Sequence, residues 1–169
     1  MAVLNADSGE VVRFIGSDEV GPGHLHWPKG LALRTAPLGV GAQSLLYVSN
    51  NLTHCIQVFD AETGAYIRTI GEGPGNGVGE LAHPHGIALR ESPPGSGEPC
   101  LLYVADWDNE RVQVFDADSG AHVCMIGDGE GEDAAVRLMS VTGVALHPGA
   151  DDSMLLVVTD KAHVQVFVV

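Results

Sequence analysis

The feature that most constrains the fold of this chain is a repeat with a period of 56 residues. The copy at 84–127 contains four short apolar runs, at 86–89, 101–105, 111–115 and 121–126. Short runs rich in Val, Ile, Tyr and Phe and separated by Gly, Pro, Asp, Asn or Ser are typical of β-strands. Gly120, in the Asp-Ser-Gly sequence before the last run, predicts a hairpin turn. We therefore expect each copy to form a small antiparallel sheet of four strands.

The same unit occurs upstream and downstream of this copy. Residues 28–33 match 84–89, and residues 45–50 match 101–106. In the downstream copy the offset shrinks from 57 to 52 residues, because its loops are shorter. The approximate repeats are 28–71, 84–127 and 141–169, with 1–16 expected to hold the last strand of a preceding unit. A period of this length with several strands inside it is the signature of a propeller or a related array.

The arrangement of predicted strands indicates how such a chain could close. We predict 12 strands across 1–169: one last strand, two complete four-stranded units and three strands of a further unit. This predicts an all-β fold, a β-propeller of three four-stranded blades in a permuted phase. Propellers typically have four to eight blades, so three cannot close a ring. We expect either a homodimer with a six-bladed ring or a longer parent chain that completes it.

The charge and the hydropathy of the chain restrict its partners. The 22 acidic and 8 basic residues give a net charge of −14, which argues against nucleic acid as the main ligand because phosphates would be repelled. The sequence contains no run of 18 apolar residues, so no membrane span is expected. The first residues show neither a basic leader nor an apolar core, so no signal peptide is expected. The compartment stays open, with the cytoplasm favoured.

The three cysteines predict neither a disulfide framework nor a zinc site. Their number is odd and their spacing contains no Cys-x-x-Cys pair. Cys55 and Cys124 lie in predicted strands and are expected to be small core residues, whereas Cys100 lies in a loop and is expected at the surface. No paired base stands at a recognised spacing, so we expect no cysteine catalysis.

The second copy resembles an NHL repeat. The resemblance rests on three segments: Pro84-His-Gly-Ile-Ala-Leu89, Tyr103-Val-Ala-Asp106 and Asn109-Glu-Arg-Val-Gln-Val-Phe115. In the first copy His54-Cys55 replaces Glu110-Arg111. NHL propellers serve as interaction platforms, and in tripartite-motif ubiquitin ligases they recruit substrates. The resemblance therefore implies a protein- or peptide-binding scaffold. A related branch, the peptidyl-hydroxyglycine lyases, holds a metal in the central channel and supplies the alternative of a channel-centred lyase or hydrolase.

Two glycine-rich segments are candidate ion or phosphate loops. The segment 71–79 lacks the Lys-Ser/Thr ending of a phosphate-binding loop, and no helical pattern follows it, so a linker between units is favoured. The equivalent acidic segment 127–133 could hold Ca²⁺, although its spacing fits no EF-hand. A solvated acidic linker is favoured there.

The pairs His24/His26 and His83/His85 are candidate metal ligands, but they occupy different repeat positions, and a third histidine cannot be assigned. We therefore predict no metal, no cofactor and no catalytic residue.

The candidate site residues lie around the strand ends. Asp106, Asn109 and Arg111 flank the turn between the second and third strands and are predicted to be structural, with Arg111 paired to a carboxylate. The predicted partner-binding residues are Trp107, Lys29, His85 and Trp27. Large aromatic side chains on loops often anchor partners. The alternative for both tryptophans is packing between sheets. The predicted function is a non-catalytic protein- or peptide-binding scaffold.

Overall fold

The structure is a computed structural model that describes residues 1–17, 20–36, 43–93, 95–127, 138–149 and 153–169. These residues form thirteen β-strands and one 3₁₀ turn, Asn51–Thr53. The strands are β1 Ala2–Leu4, β2 Val11–Phe14, β3 Pro28–Arg34, β4 Leu45–Asn50, β5 Cys55–Asp60, β6 Tyr66–Ile70, β7 Pro84–Arg90, β8 Leu101–Asp106, β9 Arg111–Asp116, β10 His122–Ile126, β11 Gly143–Pro148, β12 Met154–Thr159 and β13 Val164–Val168. None of the described residues belongs to a helix long and apolar enough to cross a membrane.

The strands form four antiparallel sheets, each with neighbours in chain order. Sheet 1 is β1-β2, sheet 2 is β3-β4-β5-β6, sheet 3 is β7-β8-β9-β10 and sheet 4 is β11-β12-β13. Sheets 2 and 3 are the two complete four-stranded units that the repeat predicts. The all-β class is therefore confirmed, and the sheets are consistent with a β-propeller.

The predicted count of 12 strands is wrong, because the described residues contain one more strand near the start of the chain. The segment 1–16 holds both β1 and β2 rather than a single last strand. The pattern Met-Ala-Val-Leu at 1–4 matches Val112-Gln-Val-Phe115 at an offset of 111 residues, which is the third strand of the unit. Sheets 1 and 4 together thus hold five strands, so the predicted closure with three strands from one end and one from the other needs revision.

Neighbouring sheets meet at their first strands. A β-carbon on Gly30 would lie 2.5 Å from the carbonyl oxygen of His85, and one on Gly86 would lie 2.9 Å from the α-carbon of Gly143. The amide of Gly86 donates to the carbonyl of Thr142 at 2.9 Å, across the boundary between sheets 3 and 4. Only glycine permits backbones to approach this closely. The sheets therefore stack side by side and do not continue into one flat sheet.

The apolar core lies between the sheets. The first cluster joins sheets 2 and 3 and includes Tyr47, Ile56, Val58, Leu102, Val104 and Phe115. The second joins sheets 3 and 4 and includes Tyr103, Val112, Val114, Leu156 and Val158. The third joins sheets 1 and 2 through Ile15, Val48 and Phe59. Alternate residues of each strand point to opposite faces, so a central sheet contributes to two clusters.

The same contacts recur at successive sheet boundaries. Arg13 on β2 donates to the carbonyl of Ala61, and Arg68, at the equivalent position on β6, donates to the carbonyl of Ala117. A β-carbon on Gly64 would lie 3.2 Å from the side chain of Ile15, just as one on Gly120 would lie 3.3 Å from Ile70. Sheet 1 therefore packs on sheet 2 as sheet 2 packs on sheet 3.

The cysteine predictions are right for one residue and wrong for two. Cys55 on β5 is buried, as expected. Cys100 is buried as well, because it immediately precedes β8 and its sulfur lies 3.4 Å from the hydroxyl of Ser92. Cys124 is exposed, because β10 is the outer edge strand of sheet 3. All three are free thiols.

Candidate functional site

The candidate site lies at the edge where the first strands begin. In sheet 2 Pro28 is opposite Asn50, and in sheet 3 Pro84 is opposite Asp106. The start of each first strand therefore lies beside the turn between the second and third strands. The residues that precede these strands, Trp27 and His83, have positive φ angles of 58° and 53°. Left-handed backbone is rare for residues other than glycine, and its recurrence shows that it belongs to the repeating unit.

Two aromatic contacts organise this edge. The imidazole of His85 stacks on the indole of Trp107, with ring centroids 5.4 Å apart and an interplanar angle of 24°. The ammonium of Lys29 lies 5.4 Å from the ring centroid of Trp27, within cation–π range. The predicted partner-binding residues therefore form two contacting pairs, one at the start of each first strand.

A second group of polar contacts adjoins the stack. His83 Nδ1 lies 2.6 Å from a carboxylate oxygen of Asp108, and the amide of His83 donates to Nδ1 of His54 at 3.1 Å. The rings of His54 and His83 make an edge contact at 4.4 Å, and His83 also meets Trp107 edge-on at 6.2 Å. We call the seven residues the imidazole–indole face: Trp27, Lys29, His54, His83, His85, Trp107 and Asp108.

The imidazoles of this face influence one another's protonation. Burial lowers the pKa of His85 below its ordinary value of 6.5, and the positive charges of Lys29 and His83 lower it further. Burial also lowers the pKa of His54, with a further contribution from His83. Both rings are therefore mainly neutral at pH 7 and present flat, weakly polar surfaces.

The exposure of the tryptophans bears on their predicted roles. Trp27 is 64% exposed, which contradicts the alternative that it packs between sheets. Trp107 is half-buried, because one side of its indole contacts the histidines. Sequence reasoning did not include His54, His83 and Asp108 in the partner-binding set. The positive φ of His54, which ends the 3₁₀ turn, brings its ring to His83, and no local sequence signal indicates this contact.

The three residues predicted to be structural form a buried network behind the site. Arg111 Nε donates to Asp106 Oδ2 at 2.8 Å, and the amide nitrogen of Asn109 donates to the same oxygen at 2.8 Å. The guanidinium also donates to the carbonyls of Gly77 and Glu80 at 2.8 and 3.0 Å. These carbonyls belong to the segment that links β6 to β7. Arg111 therefore anchors this linker to sheet 3 by hydrogen bonds.

The glycine-rich segment 71–79 is thus the linker between sheets 2 and 3. Its carbonyls face Arg111, and the amide of Gly79 donates to the side-chain oxygen of Gln113 at 3.1 Å. A polar cavity of about 510 Å³ opens beside it, lined by Asn76, Gly77, Val78, Asp108, Asn109, Glu110, Arg111 and Met125. The corresponding acidic segment 127–133, with its calcium alternative, lies outside the described residues except for Gly127.

The candidate histidine pairs do not converge on a metal position. Within the described part of the chain, no group of three or more His, Cys, Asp or Glu side chains is arranged to hold a metal ion. His24 and His26 contact each other at 5.7 Å in the linker before β3. His83 instead pairs with Asp108, and His85 stacks on Trp107.

A His–carboxylate pair such as His83–Asp108 could orient a general base if a nucleophile lay on the other ring nitrogen. The hydrogen bonds of the described residues bring no Ser, Thr or Cys side chain onto the His83 ring. Burial raises the pKa of the Cys55 thiol, which disfavours the reactive thiolate. The face therefore offers stacking surfaces, one ammonium and one carboxylate, which are groups suited to binding.

Comparisons with known proteins support the fold alone. No family model matches the sequence, and no curated protein matches it. Among solved structures, the chain is similar to hydrazine synthase from Kuenenia stuttgartiensis, a propeller-containing protein, with a TM-score of 0.53 and 17% sequence identity. The similarity covers 98% of this chain and 42% of that chain. The chain therefore spans about two-fifths of the length of this structural neighbour.

Proposed function

We propose that this chain is a segment of an NHL-type β-propeller that acts as a non-catalytic scaffold for a protein or peptide partner. The imidazole–indole face is the binding surface. The observation that carries the proposal is the stack of His85 on Trp107 beside the exposed Trp27–Lys29 pair. Rigid aromatic side chains on a preformed edge supply a large contact area with little loss of conformational entropy.

The chemistry of the face indicates the kind of peptide that fits. The neutral rings of His54 and His85 and the two indoles suit an aromatic or proline side chain, which can stack on them without losing strong hydration. Lys29 offers the one ammonium of the seven residues and can pair with a carboxylate of the same peptide. The half-exposed Asp108 is already paired with His83. The expected ligand thus combines a ring with an acidic group.

This role matches the interaction platforms formed by NHL propellers, including the substrate-recruiting part of ubiquitin ligases. The sequence similarity lies in the Pro-x-Gly-Ile-Ala, Tyr-Val-Ala-Asp and Asn-x-Arg motifs, whose residues build the edge on which the face lies. The buried Asp106–Arg111 pair supports the turn that carries Trp107. The motif thus supplies the scaffold, and the residues between the motif positions supply the contacts.

The test is selection of peptides from a random library displayed on phage, followed by measured affinities of the selected synthetic peptides. We expect wild-type protein to select sequences with a ring and an acidic residue. Trp107→Ala and His85→Ala should each weaken binding at least tenfold, since truncated hot-spot side chains typically cost about 2 kcal/mol or more. Lys29→Ala should weaken binding mainly of the acidic peptides.

The matched control is Glu98→Ala, at an exposed residue in the loop between β7 and β8, on the opposite edge of the same sheet. This variant should bind as the wild type does. Selection of no binding sequence, or full binding by Trp107→Ala, would refute the assignment of this face.

A further inference from the structure

Two apolar surfaces are exposed, one on sheet 4 at the end of the stack and one on sheet 2 beside the incomplete sheet 1. The leading face is on β13 and consists of Val164, Val166 and Val168, which are 65%, 58% and 75% exposed. The trailing face is on β3 and consists of Leu31 and Leu33, each 54% exposed. Contiguous exposed apolar patches mark surfaces that contact another element, whereas single exposed apolar residues do not.

The repeat identifies what normally covers each face. Val164 and Val166 occupy the positions of Val112 and Val114 in sheet 3, which are 0% and 1% exposed. Leu31 occupies the position of Ile87, which is also buried. The same positions are therefore covered where a complete sheet follows or precedes, and Leu31 stays exposed because sheet 1 holds only two strands.

The buried copies of these positions contact one another. Ile56 and Val58 on the third strand of sheet 2 belong to one cluster with Ile87, on the first strand of sheet 3, and Leu89 packs against it. At the next boundary, Val112 and Val114 of sheet 3 pack with Val144 and Leu146 of sheet 4. The leading and trailing faces are thus the two unmatched halves of an interface that the chain already forms twice.

The two incomplete sheets together supply all four strand positions and overlap at the third position alone. Sheet 1 contains strands of the third and fourth positions, whereas sheet 4 contains strands of the first, second and third positions. A cavity of about 410 Å³ lies at the inner side of sheet 1, lined by Met1, Phe14, Gly16, Ser17, Leu25 and Pro28. Sheet 4 of another molecule has the strands that would fill this space, but its β13 would compete with β1 for the same position.

We propose that two copies of this chain associate head to tail, with the leading face of each on the trailing face of the other. Strands β11, β12 and β13 of one copy complete a four-stranded sheet with β2 of the other, and β13 replaces β1. The closed pair then contains six four-stranded sheets. The leading and trailing faces share no residue with the imidazole–indole face, so this proposal does not depend on the proposed binding function.

The register of the exchanged strand follows from the chain itself. Strand β1 pairs with β2 in the same register as β9 pairs with β10. Val3 lies opposite Arg13, and the equivalent Val114 lies opposite Cys124. The register shift follows this pair in both sheets. Replacing β1 by β13 in this register places Gln165 of one copy opposite Phe14 of the other. Strand β1 has only three residues, whereas β13 has five, so the exchange lengthens the pairing.

The first test is sedimentation of the full 169-residue chain across a range of concentrations. We expect a mass of two chains, and we expect Val166→Glu or Leu33→Glu to shift the protein to the mass of one chain. The control is Val123→Glu, which alters an exposed valine on β10 outside both faces and should leave the dimer intact. A single-chain mass for the wild type, or an open series of larger assemblies, would overturn the proposal and assign these faces to further sheets of one polypeptide.

The second test does not depend on the folding of the charge variants. Phe14→Cys and Gln165→Cys are combined in a Cys124→Ser background, because Cys124 is the exposed native thiol. Mild oxidation should yield a disulfide between two chains, whereas Phe14→Cys combined with Val123→Cys should not. A doubly substituted chain that stays monomeric under oxidation would contradict the predicted register.

Discussion

Arg111 donates from Nε to Asp106 Oδ2 at 2.8 Å, and both side chains are buried. Asp106 Oδ1 accepts the amide of Ala82 at 2.7 Å, and Gln113 donates to Oδ2 at 3.1 Å. The carboxylate therefore joins the second strand, the third strand and the preceding linker of sheet 3. At the equivalent position of sheet 2 stands Asn50, which accepts the amide of His26 and needs no arginine. The Asp106–Arg111 ion pair of sheet 3 therefore has no counterpart at Asn50 in sheet 2.

Removing the carboxylate should leave Arg111 buried and unpaired. We expect Asp106→Asn to lower the free energy of unfolding by about 3–5 kcal/mol, the usual loss when one member of a buried pair is removed. Urea unfolding at pH 7 measures the change. Asp118→Asn is the control, since Asp118 is exposed and its pair with Arg34 should contribute no more than about 1 kcal/mol. Similar losses in the two variants would contradict the structural role of the network.

The close approach of the first strands predicts a steric effect. A β-carbon on Gly86 would lie 2.9 Å from both the α-carbon of Gly143 and the carbonyl oxygen of Thr142. Gly86→Ala should therefore force sheets 3 and 4 apart and destabilise the protein by about 2–3 kcal/mol, within the range for overpacked interiors. Gly97→Ala is the comparison, because it meets nothing within 4 Å and has only the strain of a positive φ, about 1 kcal/mol. Thermal unfolding distinguishes the two, and equal losses would argue against the close contact.

The linker leucines predict a graded series of losses. Leu81 and Leu138 precede the first strands of sheets 3 and 4 and are fully buried, whereas the equivalent Leu25 is only partly buried. Leu81→Ala and Leu138→Ala should each cost about 2–5 kcal/mol, the range for a truncated core leucine. Leu25→Ala should cost clearly less, as measured by chemical unfolding. An equal or larger loss for Leu25→Ala would contradict the order of burial.

The imidazoles predict how stability varies between pH 8 and pH 5. The pKa values of His54 and His85 are lowered in the folded state, so the unfolded chain binds more protons as the pH falls through about 6.5. Their contribution to stability is present above this pH and is lost below it. His85→Gln should therefore reduce the fall in the urea midpoint between pH 7.5 and pH 5.5.

The carboxylate of Asp60 acts in a different pH range and does not obscure this effect. Hydrogen bonds from Gln43 and Thr63 lower the pKa of Asp60 to about 2, so its contribution is lost only in stronger acid. The control for the histidine series is His147→Gln, at an exposed residue of β11 outside the imidazole–indole face. An unchanged slope in His85→Gln would contradict the assigned burial of the ring.

The sequence was sufficient to predict most strands, because their patterns are local. The apolar run within Leu101–Asp106 and the Gly120 turn each depend on a few adjacent residues, and both are present. The first strand was missed because Ala2–Leu4 is too short to show alternation by itself. Only its match to Val112–Phe115, two repeats away, identifies it.

The candidate site could be predicted only in part. Repeat alignment places Lys29 and His85 at equivalent positions, so their shared edge follows from the pattern. The contact of His54 with His83 depends on a left-handed residue at the end of a turn and on the separation of two sheets. Neither the left-handed conformation of His54 nor the separation of the two sheets can be derived from local residue spacing. The sequence therefore did not assign His54 and His83 to the face.

The most direct test of the account is whether adjacent sheets meet at their first strands, since this brings the strand starts to a common edge. A β-carbon on Gly30 would lie 3.1 Å from the α-carbon of Gly86, so the two backbones are in contact. In a nuclear Overhauser spectrum of labelled protein, we predict cross-peaks between the α-protons of Gly30 and Gly86 and between those of Gly86 and Gly143. Absence of both cross-peaks, with contacts instead between β6 and β7 as in one continuous sheet, would contradict the account.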